Sequence, residues 1–273
     1  MTNVQNSTPH PMAAAPGGTA LFTQERRRQI ARLLEEQQRV SVPELSQLFS
    51  VSEVTIRKDL TWLETRKLAV RTHGGAVLAG PTTLEMGFDV RERLQAREKE
   101  RIGAAAARYV QDGETIALDA STTALAMTRF LKEKRELTVV TNGLRIGMEL
   151  INVAGISLLI PGGMLRQESF SLVGKWGKSV LQQIHISKAF LGAKGFTFNE
   201  GLTDVHGEEV ELKRALVEAA KEVIAIIDHS KWGQVAFATF CPLERLNLII
   251  TDTRAPAAMV EQARSKGIEV WTI

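Results

Sequence analysis

The chain has 273 residues, 44% hydrophobic and 24% charged, which is enough for a small domain and a larger one with buried cores. Its formal net charge is only +3, and its single cysteine excludes an intrachain disulfide and a cysteine-based metal cluster. The five histidines show no ligand spacing, and no apolar run reaches the roughly 18 residues that a bilayer-spanning helix needs. We therefore predict a soluble cytoplasmic protein that needs neither a metal nor another cofactor.

The first 22 residues contain no Asp, Glu, Lys or Arg, unlike the rest of the chain. Their Pro, Gly and small polar residues predict a disordered leader, because a secretory signal needs a positively charged start and a continuous apolar run. Residues 23–79 hold ten Lys/Arg and seven Asp/Glu, a difference of +3 that equals the excess of the whole chain. A small basic domain beside a neutral larger one favours a protein that binds a polyanion.

Two short helices are predicted at the start of this basic region. The first runs from Thr23, which is placed to cap it, to about Gln37. The second runs from about Pro43 to Phe49 and follows a capping box that starts at Ser41. Their apolar residues recur at helical spacing and are predicted to pack in one core: Ile30, Leu33, Leu34, Leu45, Leu48 and Phe49.

The next stretch, VSEVTIRKDLTWLETRKLAVRTHGGA, is predicted to form a DNA-recognition helix and a β-hairpin wing. Ile56, Leu60 and Leu63 give the helix one apolar face, and its hydroxyl and basic residues lie off that face. Such a mixture contacts base edges and phosphates, and a second helix of this kind enters the major groove. A glycine turn then joins two short strands. The predicted DNA contacts are Ser52, Thr55, Arg57, Lys58, Arg71 and His73.

For Arg57 and Lys58 alone, an ordinary solvated helix face explains the charges equally well. The ordered pattern TIRKDL…LETRKL…VRTHGGAV, however, resembles the DeoR family of bacterial transcriptional repressors, whose N-terminal winged helix carries it. One position departs from that pattern, since Lys67 stands where the family usually has the glycine that ends the helix. The resemblance implies a winged helix-turn-helix DNA-binding domain over residues 23–79.

The remainder is predicted to be an α/β domain of Rossmann-like type. Residues 80–97 are predicted to form a linker and part of a connecting helix, which extends from Phe88 to Val110, and the α/β domain occupies 98–273. Short apolar strands alternate with helices from Asp112 onward, which indicates a parallel sheet covered on both faces. Strands are predicted at 115–119, 137–141, 156–160, 223–228 and 248–252, and helices at 123–131, 144–151, 177–183 and 208–220.

Polar residues gather where these predicted strands end, which is where parallel sheets bind ligands. Residues 119–123, DASTT, combine three hydroxyls with the first turn of a helix, which is a plausible phosphate cradle and equally a good helix cap. Other strand ends carry Asn142, Gly163 with Arg166, Lys194, and Asp228 with Lys231. Each has a structural explanation by itself, but their convergence predicts a ligand site.

The motifs LDASTT, VVTNG, IPGGMLR, SLVG, AFLGAKG, GLT, KRAL and DHSKWG, in that order, resemble the DeoR C-terminal sensor domain. The resemblance implies a fold similar to ribose-phosphate isomerases and a phosphorylated sugar or related metabolite that weakens the hold on the operator. It implies phosphate contacts from Ser121, Thr122 and Thr123, although the family often has glycine at position 121. It implies sugar contacts from Asp119, Asn142, Arg166, Lys194, Lys213 and Asp228. Gly163 and Lys231, at neighbouring strand ends, complete the predicted effector site.

The leading hypothesis is a transcriptional repressor of a sugar catabolism operon, not an enzyme, that acts as a dimer or tetramer on double-stranded operator DNA. The alternative is a sugar-phosphate isomerase in which Asp119, Glu209, Lys213 and Asp228 supply acid–base chemistry. A DNA-binding domain has no role in such an enzyme, and the sequence offers no base with an obvious orienting partner. A constitutive architectural DNA binder fits poorly with a neutral domain of this size. The sequence identifies neither the sugar nor the operator.

Overall fold

The structure is a computed structural model, and it divides at Ala79 and Gly80 into two compact units. The residues that it describes are 18–37, 39–66, 68–72, 74–78 and 87–273. Lys67, His73 and residues 1–17 of the predicted leader therefore lie outside the described residues.

The first unit is a winged helix in which three helices pack with a three-stranded antiparallel sheet of order β1-β3-β2. Strand β1 was not predicted from the sequence, and it pairs with the second strand of the wing. The elements are α1 (Gly18–Gln37), β1 (Arg39–Ser41), α2 (Val42–Phe49), α3 (Glu53–Thr65), β2 (Ala69–Thr72) and β3 (Gly75–Leu78).

Local signals predicted the second and third helices correctly. The Ser41 hydroxyl accepts a hydrogen bond from the Glu44 backbone N–H at 3.3 Å and caps α2, while Ser52 caps α3 through the Thr55 N–H at 3.2 Å. The apolar face of α3 is completely buried. Two predictions were wrong: α1 begins at Gly18 and not at Thr23, and Leu48 is 62% exposed instead of packed in the core.

The second unit begins with α4 (Phe88–Arg93) and α5 (Ala96–Arg108), where the sequence predicted one continuous helix. The break follows from Gln95, whose φ of 46° is left-handed and cannot continue a right-handed helix. The Lys99 ammonium is buried and donates to the Leu94 carbonyl at 2.7 Å and to the Arg91 carbonyl. It thereby satisfies carbonyl groups at the end of α4 that have no partner within the helix.

A seven-stranded parallel sheet forms the centre of the second unit, in the order β15-β14-β12-β9-β4-β5-β6. Its two faces are covered by two separate apolar clusters. The chain builds outward from β4 through β5 to β6, then returns to the other side of β4 at β9. Between β4 and β9 the strand order therefore reverses, which is where ligands bind on such sheets. The strands are β4 (Thr115–Leu118), β5 (Leu137–Thr141), β6 (Ile156–Leu159), β9 (Ile186–Leu191), β12 (Ala220–Ile226), β14 (Leu248–Thr251) and β15 (Glu269–Thr272).

Helices flank this sheet, and most of their bounds lie within two or three residues of the predicted ones. They are α6 (Thr122–Thr128), α7 (Leu144–Leu150), α8 (Lys175–Leu181), α9 (Gly207–Ala219) and α10 (Ala257–Ser265). Two antiparallel excursions were not predicted: the hairpin β7 (Met164–Arg166) and β8 (Ser171–Val173), and a three-stranded sheet β10 (Gly195–Thr197), β11 (Gly201–Asp204) and β13 (Ala238–Cys241). Among the described residues, no helix is both long and apolar enough to cross a membrane.

Candidate functional site

The exposed side of α3 carries the predicted DNA contacts. Arg57 and Lys58 are both exposed, and the Arg57 guanidinium pairs with Glu53 at 2.6 Å across one helical turn. The Thr55 hydroxyl lies 2.9 Å from the hydroxyl of Ser52 at the start of the helix. An exposed ion pair of this kind is weak, so Arg57 can exchange Glu53 for a phosphate or a base edge at little cost.

Arg71, predicted to contact DNA from the wing, is directed at α3. Its guanidinium donates to the Arg57 carbonyl and to the Thr61 hydroxyl, both at 3.0 Å, and its backbone N–H donates to Glu64 at 3.2 Å. These bonds fix strand β2 against the predicted recognition helix. Arg71 therefore positions the helix that carries Arg57, whatever contact with DNA it also makes.

A buried carboxylate that the sequence did not single out holds α1 against α3. Asp59 is 1% exposed and accepts from Arg26 Nε at 2.6 Å and from Arg27 Nε at 2.7 Å. The Arg27 guanidinium also lies 4.7 Å from the ring centroid of Trp62. Arg26 and Arg27, in the middle of α1, therefore join two helices of the unit, because a buried carboxylate is stable only when it is paired.

In the second unit, residues from the ends of β4, β9 and β11 and from α9 meet near the point where the strand order reverses. Asp119 follows β4 and accepts a hydrogen bond from the Gly192 N–H at 3.0 Å, which joins the end of β4 to the end of β9. The Lys213 ammonium, from α9, lies 2.9 Å from Asp119 Oδ2 and donates to the Gly192 carbonyl at 2.9 Å. It also lies 2.6 Å from Asp204, the last residue of β11.

The charges of this buried network stabilise one another. Burial alone would raise the pKa of Asp204, but the ammonium groups of Lys213 and Lys194 outweigh it and lower that pKa to about 2. Burial alone would lower the pKa of Lys213, but Asp119 and Asp204 outweigh it and hold that pKa above its ordinary value. Asp204 and Lys213 are therefore charged at neutral pH, and their ion pair lies within the protein.

The predicted phosphate loop lies beside this network. The Ser121 hydroxyl caps α6 by accepting from the Ala124 N–H at 3.1 Å, and the Ser121 N–H donates to Asp119 at 3.2 Å. A Cβ atom at Gly192 would lie 2.5 Å from the Cβ of Ser121, so only glycine fits against the loop. Thr122 and Thr123 are buried in the first turn, where backbone N–H groups have no partner within the helix.

A second cluster surrounds Glu209, which precedes Lys213 by one turn of α9. The Glu209 carboxylate accepts from Arg166 at 3.0 Å, from the Ser169 hydroxyl at 3.0 Å and from the Ser171 hydroxyl. The Asn142 amide nitrogen lies 3.5 Å from the same carboxylate and 3.3 Å from the Leu172 carbonyl. This arrangement brings the end of β5, the β7–β8 hairpin and α9 together.

Asn142 leaves one buried polar atom without a partner. Its side-chain oxygen Oδ1 has no hydrogen-bond partner within the described part of the chain, although the residue is only 2% exposed. Exchanging its oxygen and nitrogen would place an oxygen against the Glu209 carboxylate and the Leu172 carbonyl, so the amide orientation is determined. A buried acceptor without a partner is costly, and a donor from a ligand would remove that cost.

The remaining predicted residues lie near the ends of the neighbouring strands. The Asp228 carboxylate caps a short 3₁₀ turn by accepting from the Ser230 N–H at 2.9 Å. Burial acts to raise the pKa of Asp228, but Lys231, Ser230 and Lys99 outweigh it and keep that pKa below its ordinary value. Gly163 opens β7 with a φ of 134°, and a Cβ there would lie 2.3 Å from the Val173 carbonyl. The hairpin therefore requires glycine at this position.

Sequence reasoning missed Asp204, Ser169, Ser171 and Lys99. Ser171 and Asp204 belong to antiparallel strands of three and four residues, and Ser169 lies in the turn before Ser171, so none of the three carries a periodic signal. Lys99 lies in a charge-dense helix where a solvated position is the default expectation. Within the described ranges, no group of His, Cys, Asp and Glu is arranged to hold a metal ion.

Comparison with known families decides the affiliation of both units. Residues 26–82 match the DeoR-like helix-turn-helix domain, and residues 94–253 match the DeoR C terminal sensor domain. The chain belongs to the DeoR family. This DeoR-family protein is a transcriptional regulator with an N-terminal DNA-binding domain and a C-terminal sensor domain, as its sequence motifs predicted.

Curated relatives of this regulator match over nearly their whole length. It is 38% identical to the HTH-type transcriptional regulator GolR of Listeria innocua, over 92% of this chain and 98% of that protein. It is 31% identical to the glycerol-3-phosphate regulon repressor of Escherichia coli, over 87% of this chain and 94% of that protein. Among solved structures, ribose 5-phosphate isomerase A from Methanocaldococcus jannaschii is 19% identical, with a TM-score of 0.36 over 49% of this chain and 53% of that one. A similarity that low carries no functional meaning.

Proposed function

We propose that this DeoR-family regulator represses an operon for carbohydrate use and leaves its operator when a phosphorylated sugar or related metabolite binds between the ends of β4, β5, β9 and β12. The observation that carries this proposal is the unpartnered Oδ1 of Asn142 at the end of β5. A sugar hydroxyl is the kind of donor that would satisfy this buried acceptor.

The phosphate of this effector is assigned to the loop from Ser121 to Thr123. Gly192 lets the loop pack closely against the end of β9, and the first-turn N–H groups of α6 supply donors. Lys194 and Lys231 add positive charge at the neighbouring strand ends. Arg166 is held by Glu209 at 3.0 Å and so contributes charge from the hairpin side. The curated relative named a glycerol-3-phosphate regulon repressor agrees with a small phosphorylated effector.

On the DNA side, α3 enters the major groove with Thr55, Arg57 and Lys58 on its exposed face. Two copies of the chain would read two half-sites, whose centres lie about 34–36 Å apart or a multiple of that distance. An effector that favours another arrangement of the copies would weaken operator binding, by about 5–150-fold for a typical coupling free energy. The protein then acts in the cytoplasm, where the operator is.

The same site argues against an isomerase. A general base needs a lone pair that can reach the substrate proton. Asp119 and Lys213 are paired with each other, and Glu209 accepts from three donors on the hairpin. Asp228 caps a turn. Each of the four candidate acid–base residues is thus occupied by the protein itself, and we propose that the site binds its ligand without converting it.

The experiment that tests this proposal is fluorescence anisotropy on duplex DNA from upstream of the regulator's own operon. The titration is repeated with ribose 5-phosphate, fructose 1-phosphate, glucose 6-phosphate, glycerol 3-phosphate and, as the control, inorganic phosphate. We expect tight, salt-sensitive binding that one phosphosugar releases and inorganic phosphate does not. Tight binding that no member changes would contradict the effector assignment, and turnover of any member would show an enzyme.

A further inference from the structure

The β7–β8 hairpin connects the predicted effector site to the first helix of the sensor unit. On the site side, Glu209 receives hydrogen bonds from Arg166, Ser169 and Ser171, which all belong to the hairpin or its turn. The strand β8 is also joined to the loop after β5, because the Leu172 N–H donates to the Asn142 carbonyl at 2.8 Å. The hairpin therefore contacts both the loop after β5 and the Glu209 carboxylate of α9.

The other side of the hairpin holds the N-terminal end of α4. The Phe88 N–H donates to the Glu168 carbonyl at 2.8 Å, and the ring of Phe88 meets that of Phe170 edge to face, with centroids 5.7 Å apart. The Arg145 guanidinium lies 4.4 Å from the Phe170 ring centroid and pairs with Asp89 at 3.1 Å. Helix α4 is thus seated by one aromatic pair, one backbone hydrogen bond and one ion pair.

The turn of the hairpin is held in an unfavourable backbone conformation. Phe170 has a φ of 49°, in the left-handed region that bulky residues rarely adopt. Its carbonyl accepts from the Leu144 N–H at 2.8 Å, and its ring packs on Phe88. Such a conformation persists only while its surroundings enforce it, so the turn is an element that can relax when one of these contacts is lost.

A second connection reaches the C-terminal end of α4. The Lys99 ammonium donates to the carbonyls of Leu94 and Arg91 and lies close enough to Asp228 to stabilise its carboxylate. Both ends of α4 are therefore attached to elements that border the predicted effector site. Along the chain, α4 is the first described element after the DNA-binding unit.

We propose that Glu209 couples ligand binding at the predicted effector site to the packing of α4 through the β7–β8 hairpin. This coupling is how the effector acts on the DNA-binding unit. The inference rests on the proposed function and names its route of regulation. An anionic effector competes with Glu209 for the Arg166 guanidinium. As Arg166 turns from Glu209 to the ligand, the hairpin shifts, Phe170 relaxes and the contacts of Glu168 and Phe170 with Phe88 loosen.

Amide hydrogen exchange tests the physical link without any ligand. Glu209→Gln keeps the shape of the side chain but removes the charge that holds Arg166. We expect exchange at Phe88 and along α4 to become about tenfold faster, as expected for the loss of a charge-assisted hydrogen bond. The matched control is Glu211→Gln on the same helix, because Glu211 is exposed and pairs with the partly exposed Lys178 and Arg214. Equal exchange at α4 in both variants would overturn the proposal.

Phe170→Leu tests the functional coupling, because Phe170 lies outside the predicted ligand contacts. Each phosphosugar of the panel is titrated into this variant by calorimetry and into its operator complex by anisotropy. We expect the ligand affinity of the wild type but a release from DNA that is at least about fivefold weaker. If Phe170→Leu has the ligand affinity of the wild type and is released from DNA equally well, the coupling through the β7–β8 hairpin is contradicted. A wild type that no phosphosugar releases would instead contradict the proposed function, and the exchange experiment would still decide whether Glu209 controls α4.

Discussion

Lys213 Nζ lies 2.9 Å from Asp119 Oδ2, and both side chains are almost completely removed from solvent. Asp119 ends a strand of the parallel sheet, whereas Lys213 comes from a helix nearly 100 residues later in the chain. The pair, with Asp204 as a third member, fixes the loops on which the predicted effector site is built. Lys213 therefore acts first as a structural residue of the site.

Removal of the lysine should be severely destabilising. Lys213→Met leaves two buried carboxylates without their counter-charge, and breaking a buried pair from one side costs about 3–5 kcal/mol. The control is Lys178→Met, which removes an exposed partner of Glu211 and should cost less than about 1 kcal/mol. Urea unfolding followed by circular dichroism measures both. A loss below about 1 kcal/mol for Lys213→Met would show that the network contributes little.

The lowered pKa of Asp204 predicts a specific dependence of stability on pH. Because that pKa falls from 3.8 to about 2 on folding, its contribution is complete above about pH 4 and disappears as the pH drops toward 2. The shift corresponds to roughly 2 kcal/mol. The stability difference between the wild type and Asp204→Asn should therefore shrink by about that amount over this window. A difference that stays constant from pH 5 to pH 2 would contradict the assigned pKa.

Arg57→Ala should weaken operator binding by about tenfold or more, as for the loss of one bidentate base contact. The fold should be unaffected, since Arg57 is exposed and its guanidinium pairs with Glu53, whose side chain is 44% exposed. Arg28→Ala, which removes an exposed ion pair on α1, is the matched control and should bind the operator like the wild type. Anisotropy titrations at several salt concentrations distinguish a base contact of Arg57 from a phosphate contact. A uniform loss on all sequences, with a smaller salt slope, indicates a phosphate contact.

Ser121→Asp should abolish release from the operator while leaving DNA binding intact. Aspartate still caps α6, but its carboxylate occupies and repels the position assigned to the effector's phosphate. Ser179→Asp on α8, at an exposed position, provides the control and should be released normally. The measurement is the phosphosugar titration of the operator complex. Normal release of Ser121→Asp would place the phosphate elsewhere in the sensor unit.

The parts that could be predicted from the sequence are those that depend on neighbours in the chain. Ser41 and Ser52 cap helices through N–H groups three residues away. The buried apolar face of α3, formed by Ile56, Leu60 and Leu63, follows from helical periodicity alone. The strand ends carrying Asp119 and Asn142 were likewise located from apolar runs. Each of these features can be recognised in a window of about ten residues.

The parts that could not be predicted depend on distant pairing. Asp204 meets Lys213 only because β11 folds back along β10. The strands of this sheet have only three or four residues, which is too few to show an alternating hydrophobic pattern in the sequence. The helix break at Gln95 comes from a left-handed φ of 46°, and neither a glycine nor a proline marks that position in the sequence. The hydrogen bonds of Arg71 Nη1 to the Arg57 carbonyl and the Thr61 hydroxyl likewise join residues at least ten positions apart in the chain, and nothing in the sequence indicated them.

The lone thiol of the chain gives the sensor unit a built-in reporter. Cys241 is buried at the end of β13, beside the strand that carries Asp204, and burial raises its pKa to about 12. Because only the thiolate reacts readily with alkylating reagents, the folded protein is shielded from maleimide and labelling requires the unit to open. The rate of labelling thus follows the opening of the sensor without an engineered probe. A metabolite that binds the sensor unit should slow the labelling of Cys241, so candidate effectors can be screened by their effect on the labelling rate.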